Sequence, residues 1–294
     1  MRVPSRTALV RTAAATVAVA ALTASVTVGT SVAGATGPGT ATSSEQGLKA
    51  VGLAGGGTRL VAFSTDEPGE RSRIGRITGL SGGDTRLVGI DYRVQDGKLY
   101  GVGDEGGVYR FDRRAQATRL SNPALPLDDS EHFAVDFNPA ANALRILSAG
   151  GQNLRLPFAT AGAAAVVDAP LTRPVSPATT PPSSEPARGL NNDLDPTTAT
   201  TLFDIDTARD QVTLQSPANS GLTSATGDLG VDVAADTGFD IYSELSGGKT
   251  VGLRPYAVSR GVLYSVDLLT GAAHEVGALS DRTTTDLAIA LDQH

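Results

Sequence analysis

A similar short stretch recurs along this chain about every 49 residues, and this period limits the possible folds more than any other feature. Each recurring stretch carries an acidic residue near its centre, and the five read LVGIDYR (87–93), FAVDFNP (133–139), GLNNDLDP (189–196), LGVDVAA (229–235) and TTDLAIA (284–290). Short alternating runs between turn residues are typical of antiparallel strands. A period of roughly 40–50 residues without helical periodicity is typical of β-propeller blades.

Each of the first four recurring stretches opens a unit of four predicted strands. The opening strand is followed by GKLYGVGD, GGVYRFD and ATRLS in the first unit, and by TGFDIYSE, GVLYSVDLLTG and AAHEVG in the fourth. The second unit is lengthened by residues 169–188, which are rich in Pro, Ser and Thr. Because proline cannot donate to a strand ladder, we predict a long exposed loop there.

The two ends of the repeat complete each other. The last stretch, TTDLAIALD, has no sequence after it to finish a blade, whereas RLVAFSTD, SRIGRITGL and DTRLV near the N-terminus lack an innermost strand. Pairing them hides the edge strands and closes the ring. The sequence therefore predicts an all-β domain over residues 59–294, a single β-propeller of five four-stranded blades, with six blades as the alternative if residues 169–188 contain further strands.

Residues 1–35 have the pattern of a secretory signal peptide. Arg2, Arg6 and Arg11 precede an apolar run of Ala, Val and Leu, and AGA at 33–35 offers a cleavage site. We expect a secreted or cell-envelope protein with no membrane span after cleavage, and a flexible leader over residues 36–58. With no cysteine in the chain, disulfides are excluded and stability must come from the core.

The predicted mature chain is acidic. Loss of residues 1–35 removes three arginines and leaves a net charge of about −10. This charge repels phosphate backbones, so we exclude nucleic acid as a partner and expect a monomer that meets a protein or a small polar ligand.

Two motifs imitate catalytic or nucleotide sites. Gly101, Gly103 and Gly106 have the G-x-G-x-x-G spacing, but a strand follows them where a dinucleotide site needs a helix, so we interpret them as a hairpin. Ser81 in GLSGG (79–83) matches G-x-S-x-G, and we interpret it as a turn serine because no strand–turn–helix context surrounds it.

The repeated acids permit two interpretations. If every innermost strand carries one, the carboxylates crowd around the central channel and could hold Ca²⁺ or Mg²⁺; they are Asp91, Asp136, Asp193, Asp232 and Asp286. Alternatively, each accepts backbone N–H groups at a blade junction. We favour this structural role and predict no cofactor, because a catalytic site usually interrupts a repeat.

Polar residues that interrupt the repeat are candidates for ligand binding. They could line one mouth of the channel and hold a small polar or anionic ligand; these residues are Arg145, Gln152, Asn153, Arg155, Asn191, Asn192 and Asn219. The alternative is that they are solvated side chains of outer strands. His132, just before the second innermost strand, is a candidate general base if the protein is an enzyme.

The chain resembles the bacterial domain of unknown function 4394 family through its D-F-N-P, G-Q-N-L-R-L, L-x-D-I-D and L-G-V-D blocks, which occur in the family's order over nearly all of residues 59–292. The resemblance implies an exported, propeller-like protein and supplies no catalytic residues to carry over. The Pro-rich insert departs from the family pattern. We therefore expect a non-enzymatic binding or scaffolding module, with a lactonase-like, metal-dependent hydrolase as the alternative.

Overall fold

The computed structural model describes residues 47–70, 72–175, 178–180, 186–190, 194, 201–291 and 293. The predicted signal peptide at 1–35 lies outside them. Within the described residues the chain forms antiparallel strands and a single turn of 3₁₀ helix at Ala218–Ser220. No helix in this part of the chain is long and apolar enough to cross a membrane.

The first half of the chain gives the following strands. Three strands come first: β1 (Lys49–Ala54), β2 (Arg59–Ser64) and β3 (Ser72–Arg76). Blade 1 contains β4 (Leu87–Arg93), β5 (Lys98–Gly103), β6 (Val108–Phe111) and β7 (Ala117–Arg119). Blade 2 contains β8 (Phe133–Asn138), β9 (Ala143–Ser148), β10 (Asn153–Pro157) and β11 (Val166–Val167).

The second half continues the pattern after a separate two-stranded sheet of β12 (Arg173–Val175) and β13 (Ala178–Thr180). Blade 3 contains β14 (Pro186–Leu190), β15 (Leu202–Asp206), β16 (Gln211–Gln215) and β17 (Thr223–Asp228). Blade 4 contains β18 (Gly238–Ser246), β19 (Lys249–Ser259), β20 (Val262–Val266) and β21 (Ala273–Ala278). The last strand is β22 (Asp286–Ile289).

The predicted five-bladed propeller is confirmed. The described strands form five four-stranded sheets, and the fifth, blade 5, has the order β22-β1-β2-β3. The first strand of each blade packs against the first strand of the next, in the ring β4, β8, β14, β18, β22 and back to β4. These five are the inner strands. The strands found within residues 169–188 build no sixth blade, because β12 and β13 pair only with each other.

The closure of the ring also follows the prediction, with one difference in its strands. β22 pairs with β1 in the register Ala50↔Ile289 to Leu53↔Asp286. β1 lies inside the stretch 36–58 that we predicted to be a flexible leader, and DTRLV (84–88) contributes the start of β4 rather than a strand of blade 5. The small residues of β1 and the glycines that follow it have the composition of a flexible segment, so the strand was not predicted. In the structure Ala50 and Leu53 of β1 are buried.

In blades 3 and 4 the inner strand lies at other residues than the sequence predicted. In blade 4 the inner strand is β18, and LGVDVAA (229–235) lies in the loop before it. Leu229 and Val233 of this loop are buried in the core between blades 3 and 4, which produces a strand-like alternation without a ladder. In blade 3 the inner strand β14 begins within the predicted loop 169–188 and ends at Leu190, near the start of GLNNDLDP.

Apolar side chains fill the spaces between most neighbouring blades. Tyr109 and Ala288 belong to the core shared by blades 1 and 5, and Phe137 belongs to the core of blades 1 and 2. Between blades 2 and 3 the described apolar cluster is small, consisting of Ala134 with Leu147 and Leu171. The domain therefore rests on inter-blade cores, with a weaker apolar contact at one junction.

We predict that β22 is an integral part of this core. Leu287 is 2% exposed and packs between blades 4 and 5. Leu287→Ala should lower the free energy of unfolding by about 2–5 kcal/mol, as measured by urea denaturation. Leu269→Ala is the matched control, because Leu269 is 79% exposed and should change stability by no more than about 0.5 kcal/mol. Equal effects of the two substitutions would contradict closure by β22.

Candidate functional site

A pocket lies where four of the inner strands begin. It is bounded by the β1–β2 turn at Gly56–Gly57 and by the starts of β4, β8, β18 and β22, and its volume is about 230 Å³. We call it the mouth pocket. Concave sites with a few convergent polar groups are the usual places for small ligands in proteins. The mouth pocket is therefore the candidate binding site.

Glycines allow the backbone segments around the mouth pocket to approach closely. Gly57 has a φ of +86°, and its carbonyl accepts the N–H of Leu87 at 2.9 Å. A Cβ on Gly238 would lie 2.4 Å from Cα of Asp286. Any side chain at Gly238 would therefore collide with the residue that carries the carboxyl group of the pocket.

Asp286 places a carboxyl group in the mouth pocket. Its Oδ2 accepts the N–H of Ile90 and its Oδ1 accepts the N–H of Leu287, both at 2.9 Å. Burial raises the pKa of Asp286 to about 8 against these two hydrogen bonds, and the charge of Asp240 adds to the rise. Asp286 keeps part of its surface exposed. A carboxyl group that is mostly protonated at neutral pH thus faces the pocket.

Other titratable groups surround the rim. His132, Glu131 and Asp236 line the pocket, as does Arg86, whose Nε lies 3.6 Å from Oδ2 of Asp104 outside it. The placement of His132 at the mouth agrees with its position just before β8. Acidic groups outnumber basic ones here, so the mouth pocket has a negative potential.

Three more carboxylates form a buried cluster on the inner strands. Asp91, Asp136 and Asp240 each place one oxygen within 4.8 Å of the others, and each residue is at most 8% exposed. We call these residues the inner carboxylate cluster. Oxygens at this separation have the spacing of ligands around one Ca²⁺, since ligands on opposite sides of that ion lie about 5 Å apart.

Backbone N–H groups of neighbouring blades already engage this cluster. Phe137 N–H donates to Oδ2 of Asp91 and Ile289 N–H donates to Oδ2 of Asp240, both at 2.6 Å. Each of these aspartates also accepts the N–H of the residue that follows it. Asp91 thus makes the blade-junction contacts that we expected of the repeated acids, and Asp240 makes the same contacts in blade 4.

Crowding changes the titration of the cluster. Burial, followed by the charges of Asp136 and Asp240, raises the pKa of Asp91 well above its ordinary value. Burial also raises the pKa of Asp240 to about 6, although two backbone N–H groups oppose the shift. Ionisation of the whole cluster is therefore unfavourable unless a proton or a cation is present.

The structure brings together some of the predicted acids and separates others. Asp91 and Asp136 lie on inner strands as predicted, and Asp286 lies on β22 in the mouth pocket. Asp193 lies outside the described residues. Asp232 lies in the loop before β18, where its side chain is 76% exposed and ion-paired with Arg260.

The residue that takes the inner-strand position in blade 4 is Asp240, which the sequence analysis missed. The stretch GFDIYSE around it alternates apolar and polar residues as clearly as LGVDVAA does. Its spacing to Asp286 is 46 residues, close to the 45 between Asp91 and Asp136, and this regular step is the signal that could have identified it.

Most of the predicted ligand-binding residues form a network with one another. The guanidinium of Arg145 donates to Asn153 at 2.6 Å, to Asp168 at 2.8 Å and to Asn219 at 2.5 Å. Arg155 joins through Asp168 at 3.1 Å. Arg145 is only 2% exposed. These groups link blade 2 to the segment before β17 of blade 3, at the junction where the apolar cluster is small.

The remaining predicted ligand-binding residues lie elsewhere. Gln152 stabilises the loop before β8, since its side chain accepts the N–H of Asp128 and donates to the carbonyl of Pro126. Asn191 and Asn192 lie outside the described residues. The polar residues that interrupt the repeat thus join chain segments in the described part of the molecule.

The two imitating motifs are turns. Gly103 ends β5, and Gly106, with a φ of +78°, lies in the hairpin before β6. Ser81 lies before β4, where its N–H donates to the phenol oxygen of Tyr109 and its carbonyl accepts the phenol proton. Ser81 does not line the mouth pocket.

We predict that Asp286 makes stability depend on pH. Its pKa is about 8 in the folded chain and near 3.8 when unfolded, so its stabilising effect is complete below about pH 4 and is lost as the pH rises through 8. Asp286→Asn should therefore flatten the fall in the free energy of unfolding between about pH 4 and pH 8, measured by urea titration.

The free energy of unfolding will also be lower in Asp286→Asn at every pH, because an amide leaves one backbone N–H without an acceptor. The test is therefore the slope of the free energy of unfolding against pH. Asp232→Asn, on an exposed acid, should keep the wild-type slope. Parallel curves for Asp286→Asn and wild type would contradict the prediction.

Comparisons with known proteins place the chain as follows. No curated protein matches it. It is similar in structure to a gluconolactonase from Xanthomonas campestris, with 14% identity, coverage of 82% of this chain and 80% of that one, and a TM-score of 0.46. It is also similar to an auxiliary nutrient binding protein from Bacteroides thetaiotaomicron, with 12% identity, coverage of 69% and 51%, and a TM-score of 0.43; the chain thus spans about half the length of that protein.

A family model covers most of the chain. The model for the Domain of unknown function (DUF4394) matches residues 59–288, which begin at β2 and end within β22. The matched residues include four complete inner strands, all but the last residue of β22, and the aspartates of the inner carboxylate cluster. The chain belongs to the DUF4394 family.

Proposed function

We propose that this protein is an exported binding module that holds a small polar ligand in the mouth pocket without chemical turnover. The observation that carries the proposal is the pocket itself, which forms where the inner strands begin and contains the carboxyl group of Asp286. Each inner strand pairs with the second strand of its own blade, and aspartate carboxylates link inner strands of adjacent blades. This gives a rigid frame, and a rigid site loses little entropy on binding. Export rests on the pattern of residues 1–35.

The hydroxyl groups of the pocket support binding rather than nucleophilic catalysis. Thr237 and Thr285 are the hydroxyl residues among those that line it. Thr237 Oγ1 donates to the carbonyl of Ala234 at 2.6 Å, and Thr285 Oγ1 lies 3.5 Å from the carbonyl of Leu53. A hydroxyl nucleophile needs an adjacent general base that accepts its proton. The partners within hydrogen-bond distance are instead backbone carbonyls and, for Thr237, the hydroxyl oxygen of Ser259 at 2.9 Å.

We predict that filling the mouth pocket abolishes ligand binding without unfolding the protein. Ala235 is exposed and lines the pocket, so Ala235→Trp should occupy its space. In a thermal-shift panel of amino acids, sugars, organic acids and amines, at least one class should raise the Tm of the wild type by about 2 °C or more and leave Ala235→Trp unchanged.

The matched control is Ala141→Trp, in the exposed turn at the opposite end of β8, which should respond as the wild type does. The same preparations should not hydrolyse p-nitrophenyl acetate or a δ-lactone above the buffer rate. Hydrolysis that Ala235→Trp removes and Ala141→Trp keeps would overturn the non-enzymatic proposal.

A second candidate is a metal-dependent hydrolase. The spacing of the inner carboxylate cluster favours it, because three oxygens within 4.8 Å could hold a Ca²⁺. His132 at the mouth would then be the general base. The hydrogen bonds from Phe137 and Ile289 count against it, because they already use lone pairs of Asp91 and Asp240.

We predict that the two candidates differ in bound metal. Under the binding proposal, elemental analysis of the purified protein finds less than about 0.1 equivalent of Ca²⁺, and neither Ca²⁺ nor EDTA moves the Tm by more than about 1 °C. Stoichiometric Ca²⁺ that Asp136→Asn removes, together with a Tm lowered by EDTA, would favour the hydrolase.

A further inference from the structure

The charge of the mouth pocket is unbalanced. Glu131 and Asp236 line it, and among the described residues no hydrogen bond or ion pair engages either carboxylate. Asp286 adds a third acidic group. The guanidinium of Arg86 is directed at Asp104, outside the pocket. A ligand that carries positive charge would therefore meet two carboxylates, those of Glu131 and Asp236, that the protein itself leaves available. Beside them it would meet the carboxyl group of Asp286, whose oxygens already accept two backbone N–H groups.

The walls of the mouth pocket combine polar groups with apolar side chains in similar measure. Leu53, Leu87, Phe133, Val135 and Phe239 line it together with backbone glycines. A metal ion needs oxygen or nitrogen ligands around most of its surface, whereas methylene groups are favoured beside apolar walls. The volume of about 230 Å³ is below the roughly 300–1,000 Å³ of sites for drug-sized molecules. Shape and wall chemistry thus fit a small organic molecule better than an inorganic ion.

We propose that the ligand of the mouth pocket is a small alkylammonium compound, whose charged head meets the carboxylates of Glu131, Asp236 and Asp286 and whose carbon chain lies against the apolar side chains of the walls. This inference rests on the proposed binding function and specifies its ligand class. An ammonium group has three donors, which matches a site that offers several carboxylate acceptors. Apolar contacts then give affinity and the charged contacts give selectivity.

Proton release accompanies binding in this arrangement. A nearby ammonium favours the ionised form of Asp286, whose pKa is about 8 in the empty pocket, so binding at neutral pH expels a proton and affinity rises toward pH 8. The other groups that face the site are His132, Glu131, Asp236 and Arg86 on the rim and Asp240 beneath it. Asp286→Asn should remove most of this pH dependence.

The test is isothermal titration with butylammonium chloride and, as a neutral molecule of similar shape, butanol. We expect butanol to bind at least about tenfold more weakly, because charge-assisted hydrogen bonds are about twice as strong as neutral ones. Glu131→Gln combined with Asp236→Asn should weaken butylammonium binding by about tenfold or more. Asp232→Asn makes the same charge change at an exposed loop position outside the pocket and should leave the Kd within about twofold.

Several results would overturn the inference. The first is equal affinity for butanol and butylammonium. The second is an unchanged Kd for butylammonium in the variant that combines Glu131→Gln with Asp236→Asn. The third is Ca²⁺ binding, seen as heat on titration with CaCl₂, that displaces butylammonium. If a neutral or anionic compound of the panel binds and Ala235→Trp abolishes its binding, the ligand class is wrong and the binding function stands. If no compound of the panel binds, both proposals fail together.

Discussion

The propeller depends on carboxylates that bridge separate sheets. Inner strands of adjacent blades do not pair in a ladder, so their inner-edge N–H groups need other acceptors. Asp91 supplies one to Phe137, Asp240 to Ile289 and Asp286 to Ile90. An unsatisfied buried N–H costs about 1–3 kcal/mol of folding free energy. This cost favours sequences with an acceptor side chain at each such junction. The cost is electrostatic, since the same arrangement crowds acids together and raises their pKa values.

The repeat and the closure could be predicted from sequence because both follow from the alternation of apolar and polar residues and from its period. The alternation gave a wrong strand where a loop, rather than a strand, carries the buried apolar residues. Leu229 and Val233 alternate like a strand but belong to the segment before β18, and Asp232 was therefore chosen in place of Asp240. Alternation reports which side chains are buried, and a buried loop satisfies it as well as a strand does.

The candidate site was less accessible to sequence reasoning. The placement of His132 and Asp286 at the mouth follows from their positions at the starts of β8 and β22. By contrast, Arg145 and Asn153 were expected at the channel mouth, and the structure buries them in a network with Asp168. Residue type shows that a side chain needs partners, but whether the partner is a ligand or a neighbouring blade depends on the packing of sheets far apart in sequence. That packing also creates the mouth pocket from segments of four blades.

The pairing of β22 with β1 has a consequence for when the domain acquires its shape. Lys49 and Gln293 are joined by a hydrogen bond although they are 244 positions apart in the chain. Contacts of such high sequence separation form late, because the chain entropy of closing so large a loop is lost before the contact repays it. Blades 1 to 4 consist of strands that are consecutive in the chain, so each can assemble before β22 pairs with β1. The ring closes last, and the strand pair that closes it sets the time at which the mouth pocket is complete.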